Sequence, residues 1–176
     1  MDARRLGAQR GLEIIQVTSL TSAAPQINDV ATRATRRVTA LRITLAPGAT
    51  APTRGTPGSA GLDLCALEGV ALRDSPTMVR TGVSVEIPEG WVGLVAVRSS
   101  VGRRGIVLSN SVAVIDADYR GEILLSLRAT RYGEIVGIGE RIAQLVIVPC
   151  FTGGVEVVDA LSPTVRADGG FGSTGR

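Results

Sequence analysis

The sequence predicts an all-β domain, a sandwich or barrel built from short strands. Apolar and polar residues alternate with a period of two over residues 41–45 and 83–87, which is the pattern of half-buried strands. Glycine, proline and aspartate interrupt such runs at near-regular intervals, and the 22 glycines suit the positive-φ turns of this fold class. The 176 residues are enough for one domain, and a hydrophobic share of 44% is that of a folded chain.

The individual elements follow from the same pattern in chain order. The strand at 83–87 ends at the turn signal Pro88-Glu89-Gly90. One short helical turn is expected after Ser99-Ser100, and no helix of three turns is evident after residue 38. Residues 110–122 run from apolar residues into two acids and a tyrosine, which predicts a hairpin with a polar tip. Further strands are expected at 92–97, 106–108, 123–127 and 142–148.

The N-terminal residues 1–37 differ in character from the rest. They carry six Arg against three acids, so they account for the whole net charge of +3, while residues 38–176 hold 13 Arg and 13 acids. We expect a flexible extension, with an organelle-targeting peptide as the alternative. The domain itself is expected over 38–160, followed by a glycine-rich C-terminal segment at 161–176.

The cations restrict the chemistry. All 19 are Arg, with no Lys and no His in the chain. This excludes Ser-His-Asp and Cys-His hydrolysis, His-ligated metals, Schiff bases and the phosphate-loop lysine. A general acid or base in this protein must therefore be a carboxylate, Tyr or Cys. Phosphate must be bound by Arg, hydroxyl groups or backbone N–H groups.

The two cysteines, Cys65 and Cys150, are far apart and lack metal-ligand spacing. Both lie in apolar runs, so we expect buried small side chains rather than nucleophiles or a disulfide. This favours an intracellular, reducing compartment, most simply the cytoplasm. No apolar run approaches the ~20 residues of a membrane span, so no membrane association is expected.

Five polar clusters stand out from the apolar strands. Arg98, Ser99 and Ser100 leave a strand together, and a guanidinium with two hydroxyls suits phosphate oxygens. A carboxylate in the third cluster can orient water for attack on phosphorus. Gln144 lies amid apolar residues and needs a hydrogen-bond partner if it is buried. The clusters are residues 59–64, 97–100, 110–122, 139–145 and 166–176.

The fifth cluster is the glycine-rich C-terminus, which cannot pack a core. It nevertheless holds an aromatic ring that can stack on a base, hydroxyl and N–H groups for phosphate, and an Arg at each end. From its residues alone it is either a floppy tail or a lid that orders over a nucleotide.

In this order, the five clusters resemble the five motifs of the homotrimeric dUTP pyrophosphatase (dUTPase) family, over about residues 38–176. The resemblance implies a jelly-roll-type β-barrel assembled as a homotrimer, with each active site shared among the chains. It implies hydrolysis of dUTP to dUMP and pyrophosphate with Mg²⁺, and it favours the lid interpretation of the C-terminus. None of this chemistry needs His or Lys.

The resemblance also implies roles for single residues. Asp116 matches the acid that activates the attacking water, Tyr119 the ring beneath the deoxyribose, and Asp63 an acid that supports the site through metal-bound waters. The other matching positions are Arg98, Ser99 and Ser100 for phosphates, Gln144 near the α-phosphate, Asn110 with the backbone at Val114 and Ile115 for uracil, and Arg166, Phe171, Gly172, Ser173 and Thr174 in the lid.

This chain departs from the family pattern in four places. Val97 stands where proline is usual, and Ser100, Ala113 and Ala167 stand where glycine is usual. If Ser100 or Ala113 had to adopt a positive φ, substrate affinity would fall.

Three alternatives to a dUTPase remain open from the sequence. One is a dCTP deaminase-type enzyme of the same fold, which also carries an Arg-Ser-Ser turn but not the Asp-Ala-Asp-Tyr segment. A second is a nucleotide-sensing regulatory trimer. The third is a nucleic-acid binder, which the basic pI of about 9.5 suggests but the 3% aromatic content does not support.

Overall fold

The computed structural model describes residues 40–170, which form ten β-strands and one helical turn. No helix in this part of the chain is long and apolar enough to cross a membrane. In chain order the elements are β1 (Arg42–Leu45), β2 (Leu62–Cys65), β3 (Val70–Ala71), β4 (Thr77–Glu86), β5 (Trp91–Val97), α1 (Ser99–Gly102), β6 (Ile106–Leu108), β7 (Ala113–Ile115), β8 (Glu122–Ala129), β9 (Ile135–Val136) and β10 (Arg141–Pro149).

The strands form two four-stranded sheets and one small two-stranded sheet. The strand orders are β1-β4-β8-β6, β2-β10-β5-β7 and β3-β9, and every pair is antiparallel. Neighbours in a sheet come from distant parts of the chain, so the chain crosses repeatedly between the two sheets. The prediction of an all-β fold is confirmed, and α1 lies where the short helical turn was expected.

The core follows from the period-two alternation of the strands. In β8, Ile123, Leu125 and Leu127 are fully buried, while Leu124 between them lies on the outer side. Each fully buried aliphatic side chain contributes about 1.5–3 kcal/mol of hydrophobic stabilisation. The alternation therefore identifies which side chains of β8 face the core.

The predicted hairpin within residues 110–122 is wrong. β7 pairs with β5 in one sheet, and β8 pairs with β4 and β6 in the other. Residues 116–121 therefore carry the chain from one sheet to the other instead of closing a two-stranded ribbon. Alternation along a segment identifies strands, but it does not say which distant strand each one pairs with.

Gly82 occupies a bulge in β4, where the register with β8 shifts between Arg80 and Ser84. Its φ is +67°, and a Cβ there would lie 2.5 Å from the Cβ of Ala49. Both the backbone conformation and the lack of space therefore require glycine.

The thiol of Cys65 is buried, and burial raises its pKa, so it behaves as the expected small hydrophobic side chain. Cys150 is half-buried, and neither cysteine is in a disulfide.

The segment after β10 contributes no strand and no residue to the core over residues 150–170. Val155 and Val157 are 95% and 94% exposed, and Leu161 and Val165 are also exposed. A single chain therefore leaves these apolar side chains uncovered.

Candidate active site

Three neighbouring strands bring three of the five clusters together. Gln144 on β10 pairs with Asp63 on β2 and, on its other side, with Ala96 on β5. Directly paired residues point to the same face of a sheet, so the Asp63 and Gln144 side chains share a face. The Arg98 N–H donates to the carbonyl oxygen of Ile142 at 3.1 Å, which extends the ladder beyond β5 and keeps Arg98 beside this row.

Asp63 is the electrostatic centre of this row. The residue is 8% exposed; its carboxylate Oδ1 lies 3.2 Å from Arg98 Nε, and Oδ2 lies 3.2 Å from Arg141 Nη1. A buried carboxylate needs such partners to offset the loss of hydration. The single Asp63 carboxylate pairs with two guanidinium groups, so Asp63, Arg98 and Arg141 together carry a net charge of +1.

A cleft of about 170 Å³ opens over this group. Its walls combine a cation, hydroxyl groups and an amide, which is the donor set that phosphate oxygens accept from. A second cleft of about 280 Å³ shares Arg98 with it and continues along α1 to Ser100 and Arg104. The residues around the first cleft are Gly55, Ser59, Gly61, Asp63, Arg98, Ser99 and Gln144.

The loop that forms one wall of the first cleft is held by Arg54. Its Nη1 donates to the carbonyl oxygens of Ser59 and Ala60 at 2.6 and 2.7 Å. The Thr56 N–H donates to Ser59 Oγ at 3.0 Å, which closes the loop on itself. These contacts fix the backbone that leads into Gly61.

α1 presents Ser99 and Ser100 as exposed residues while Val101 anchors it in the core. The end of the helical turn is tied down by Arg104, whose Nε donates to Glu134 at 2.9 Å and whose Nη1 donates to Glu140 at 2.5 Å. The hydrogen bond to Glu134 raises the pKa of Arg104 further, so its charge is permanent.

The third cluster forms a closed turn that presents an exposed acid and an exposed ring. The Tyr119 N–H donates to the Asp116 carbonyl at 3.2 Å. Arg120 Nη1 donates to the carbonyl oxygens of Ala117 and Tyr119 at 2.6 and 2.9 Å. The Tyr119 hydroxyl donates to the Glu122 carbonyl at 3.0 Å, which sets the direction of the ring.

This turn lies far from Arg98 within one chain. Ile115 on β7 pairs with Gly93 on β5, so Asp116 follows at the Val92 end of β5, six residues from Arg98. At about 3.3 Å per residue the separation is about 20 Å. Neither Asp116 nor Tyr119 lines either of the two clefts.

The three positions expected to bind uracil differ in burial. Asn110 is exposed and precedes β7 at its Arg98 end, and Val114 is 60% exposed. The Ile115 side chain is buried in the core and is not accessible to a ligand.

In the tail, Arg166 Nε donates to the Gly169 carbonyl at 2.8 Å, and Ala167 adopts φ +46°. Ser111 is the other non-glycine residue with a positive φ in residues 40–170, so Ser100 and Ala113 carry no such strain. Phe171, Gly172, Ser173 and Thr174 lie outside the described residues, as does the N-terminal extension.

The described residues contain no group of three or more His, Cys, Asp or Glu side chains that could hold a metal ion. Both carboxylate oxygens of Asp63 face guanidinium groups. Direct ligation of Mg²⁺ by protein side chains therefore does not fit this region, and Asp63 as a metal-supporting residue stays a prediction.

Sequence reasoning missed Arg141 as a partner of Asp63. Arg141 and Gln144 are three residues apart and would face opposite sides of a regular strand. A register shift between Arg141 and Ala143 brings both to the face of Asp63. Sequence reasoning also missed that Gly61 lies directly against the Gln144 side chain, because this contact depends on how distant segments meet. It missed the hydrogen bonds from Arg54 to the Ser59 and Ala60 carbonyls as well, although these are local.

Comparison with known proteins identifies relatives of this chain. A family model described as dUTPase matches residues 48–175. The deoxyuridine 5′-triphosphate nucleotidohydrolase of Escherichia phage T5 is 42% identical over 136 residues, which cover 70% of this chain and 90% of that protein. The enzyme of the same name from Hydrogenobaculum sp. is 45% identical over 130 residues, 70% of this chain and 89% of that one.

Solved structures agree with these matches. A point mutant of the dUTPase of Staphylococcus bacteriophage 80alpha, solved with dUpNHpp, superposes with a TM-score of 0.72 at 30% identity, covering 78% of this chain and 99% of that chain. A point mutant of the dUTPase from phage phi11 of S. aureus, described with a structural Mg(II) ion, has a TM-score of 0.64 at 28% identity and covers 70% of this chain and 99% of that one.

Proposed function

This chain belongs to the dUTPase family, and on that premise we propose that it hydrolyses dUTP to dUMP and pyrophosphate. The observation that carries the proposal is the cleft where Asp63 orients Arg98 and Arg141 beside Ser99 and Gln144. It is a phosphate-binding surface built without Lys or His.

The residues around the cleft bind the triphosphate and neutralise its negative charge. Arg98 and the hydroxyls of Ser99 and Ser100 donate to phosphate oxygens, and Gln144 lies near the α-phosphate. Arg166, from the tail, binds the γ-phosphate. Removing one donor to developing charge costs about 3–4 kcal/mol in comparable sites.

Asp116 supplies the base. Its carboxylate takes a proton from a water molecule whose oxygen attacks the α-phosphorus. The bond from the α-phosphorus to the bridging oxygen breaks, and pyrophosphate leaves with the bonding electrons. Such a step depends mainly on positioning and charge neutralisation.

The nucleoside is selected by the third cluster and the lid. Asn110 and the backbone at Val114 and Ile115 bind uracil, and cytosine would leave two groups unpaired at about 1–3 kcal/mol each. Tyr119 lies beneath the deoxyribose and excludes a 2′-hydroxyl. In the lid formed by residues 161–176, Phe171 stacks on uracil, and Gly172, Ser173 and Thr174 contact phosphates.

The proposed assembly is a homotrimer with shared sites. Within one chain Asp116 lies about 20 Å from Arg98, so the base and the phosphate-binding arginine meet only if another copy supplies one of them. The uncovered apolar side chains after β10, such as Val155 and Val157, support burial against another copy.

Mg²⁺ is proposed as the cofactor, by analogy with the phi11 relative, which coordinates a structural Mg(II) ion. Since the described residues form no direct metal site, the ion would be held by phosphate oxygens of the substrate and by water. When bound, it would neutralise phosphate charge.

Other activities have less support. The relatives named above are dUTP nucleotidohydrolases, which does not favour a dCTP deaminase or a purely regulatory trimer. Specific binding to nucleic acid or to membranes is not part of the proposal.

The test measures pyrophosphate release from dUTP with Mg²⁺, in parallel with ammonia release from dCTP. We expect pyrophosphate only. Asp116→Asn should lower kcat by about 10²–10⁴-fold while dUTP binding remains. Robust activity of this variant would refute the assigned base, and ammonia release would refute the reaction class.

A further inference from the structure

We propose that the ion pair between Arg80 and Glu122 positions Tyr119 and thereby sets the preference for deoxyribose over ribose. The inference rests on the proposed role of Tyr119 beneath the sugar. Arg80 and Glu122 are positioning residues here, since neither is placed against the substrate.

The ring of Tyr119 is held by the two residues that follow its turn. Its hydroxyl donates to the Glu122 carbonyl at 3.0 Å. The ring packs over Gly121, where a Cβ would collide with the hydroxyl and its ring carbons. Tyr119 is 42% exposed and belongs to no core cluster. Its direction therefore depends on where the backbone of Gly121 and Glu122 lies.

Glu122 is in turn fixed by a segment forty residues away in sequence. Arg80 grips its carboxylate at two points, with Nε 3.2 Å from Oε1 and Nη2 2.9 Å from Oε2. The Gly82 N–H, in the bulge of β4, donates to Oε1 at 2.7 Å. The pKa of Glu122 lies below its ordinary range because Arg80 hydrogen-bonds its carboxylate, which keeps the pair ionised.

These contacts form one path from β4 to the ring. The turn itself is closed only by local bonds, through Arg120 and the Tyr119 N–H. The hydrogen bonds from Arg80 and Gly82 to the Glu122 carboxylate add a long-range restraint on Glu122. The carbonyl of this same residue accepts the hydrogen bond from the Tyr119 hydroxyl. Without this restraint, the end of β8 and the ring can shift together.

Sugar selection is the property most sensitive to such a shift. An apolar surface rejects an added hydroxyl by only about 10²-fold. A ring that can move by a fraction of an ångström makes room for the 2′-hydroxyl, while base recognition at Asn110 and Val114 is unaffected.

The test is Arg80→Met, which removes the grip at an exposed position. The measurement is kcat/KM for dUTP and for UTP in the full-length protein. We expect the dUTP-to-UTP ratio to fall by about tenfold. Tyr119→Phe, which removes the hydroxyl bond to Glu122, should lower the ratio similarly.

Arg42→Met is the matched control, because it breaks another cross-strand ion pair of β4, Arg42–Glu86 at 2.8 Å, which joins β4 to β1 rather than to β8. It should leave the ratio unchanged. If Arg80→Met does not fold, Glu122→Gln replaces it, because it breaks the same ion pair and its result is interpreted in the same way.

Each outcome decides the proposal. An unchanged ratio in Arg80→Met and Glu122→Gln, or an equal loss in Arg42→Met, overturns the positioning role. If Tyr119→Ala also leaves the ratio unchanged, the sugar-selecting role of Tyr119 in the proposed function fails instead. A change in Tyr119→Ala alone keeps that role and rejects the Arg80–Glu122 anchor.

Discussion

Gly61 lies directly against the side chain of Gln144. A Cβ on Gly61 would come within 2.7 Å of Gln144 Oε1 and 2.9 Å of its Cβ. The two residues belong to different clusters, and their contact fixes the amide that the cleft presents beside Asp63 and Ser99.

Gly61→Ala should therefore displace the Gln144 amide and lower kcat/KM for dUTP by at least about tenfold. Because the added methyl has no space, overpacking should also cost about 1–3 kcal/mol of stability. Gly58→Ala, in the same loop, is the control, since nothing lies within 4 Å of its Cβ position. Full activity in Gly61→Ala, or an equal loss in Gly58→Ala, would contradict this account.

Arg98→Ala and Asp116→Asn should each be nearly inactive alone and should restore activity when co-assembled. In a mixed assembly, some sites draw an intact Arg98 from one chain and an intact Asp116 from another. With equal amounts and random assembly, about a quarter of the sites should be intact. The measurement is pyrophosphate release after joint refolding.

The matched control for this experiment mixes Arg98→Ala with Gln144→Ala. Both changes lie on the same side of the site, so no mixed site is whole and no recovery is expected. Recovery in the control, or none in the Arg98→Ala and Asp116→Asn mixture, would reject a site divided as described.

Ala167→Gly should strengthen substrate binding. Ala167 adopts a left-handed backbone at φ +46°, beside the Arg166–Gly169 hydrogen bond. A side chain in that region costs about 1 kcal/mol relative to glycine, equal to about a fivefold change in affinity. We expect KM for dUTP to fall by up to that factor. Ala160→Gly, in the same segment without a positive φ, controls for added flexibility; a matching fall there would contradict the explanation.

The stability difference between wild type and Arg80→Met should depend on pH. The pKa of Glu122 is lowered in the folded state because Arg80 hydrogen-bonds its carboxylate. Its contribution is therefore present above the unfolded pKa of about 4.3 and is lost as pH falls further. Melting temperatures should differ at pH 7, and the difference should shrink as the pH falls below the unfolded pKa and through the lowered folded pKa of Glu122. A difference that grows on acidification would be inconsistent with this pair.

Local patterns predicted β1, β5, β6, β8, β10 and the second half of β4, but they missed β2, β3 and β9 and did not identify which strands pair. Strict alternation over 123–127 identified β8, because one face of that strand is fully buried. The turn after Ser99-Ser100 was also predicted. The pairing of β7 with β5 was not, since it is decided by the packing of distant segments.

In the candidate site, too, local patterns were informative and contacts between distant segments were not predicted. The residue types at Arg98, Ser99 and Ser100 predicted a phosphate-binding turn from sequence alone, and this assignment stays a prediction. The sharing of Asp63 by two arginines could not be predicted, because it depends on a bulge in β10. Nor did any local signal place the positive φ at Ala167 rather than at Ser100 or Ala113.

In the proposed assembly, the separation of Asp116 from Arg98 along the β5–β7 ladder makes activity depend on protein concentration. A chain on its own carries both halves of the machinery and no complete one, so activity per chain should rise with total protein until assembly saturates. Dilution alone would then act as an off switch, without any chemical change to the chain.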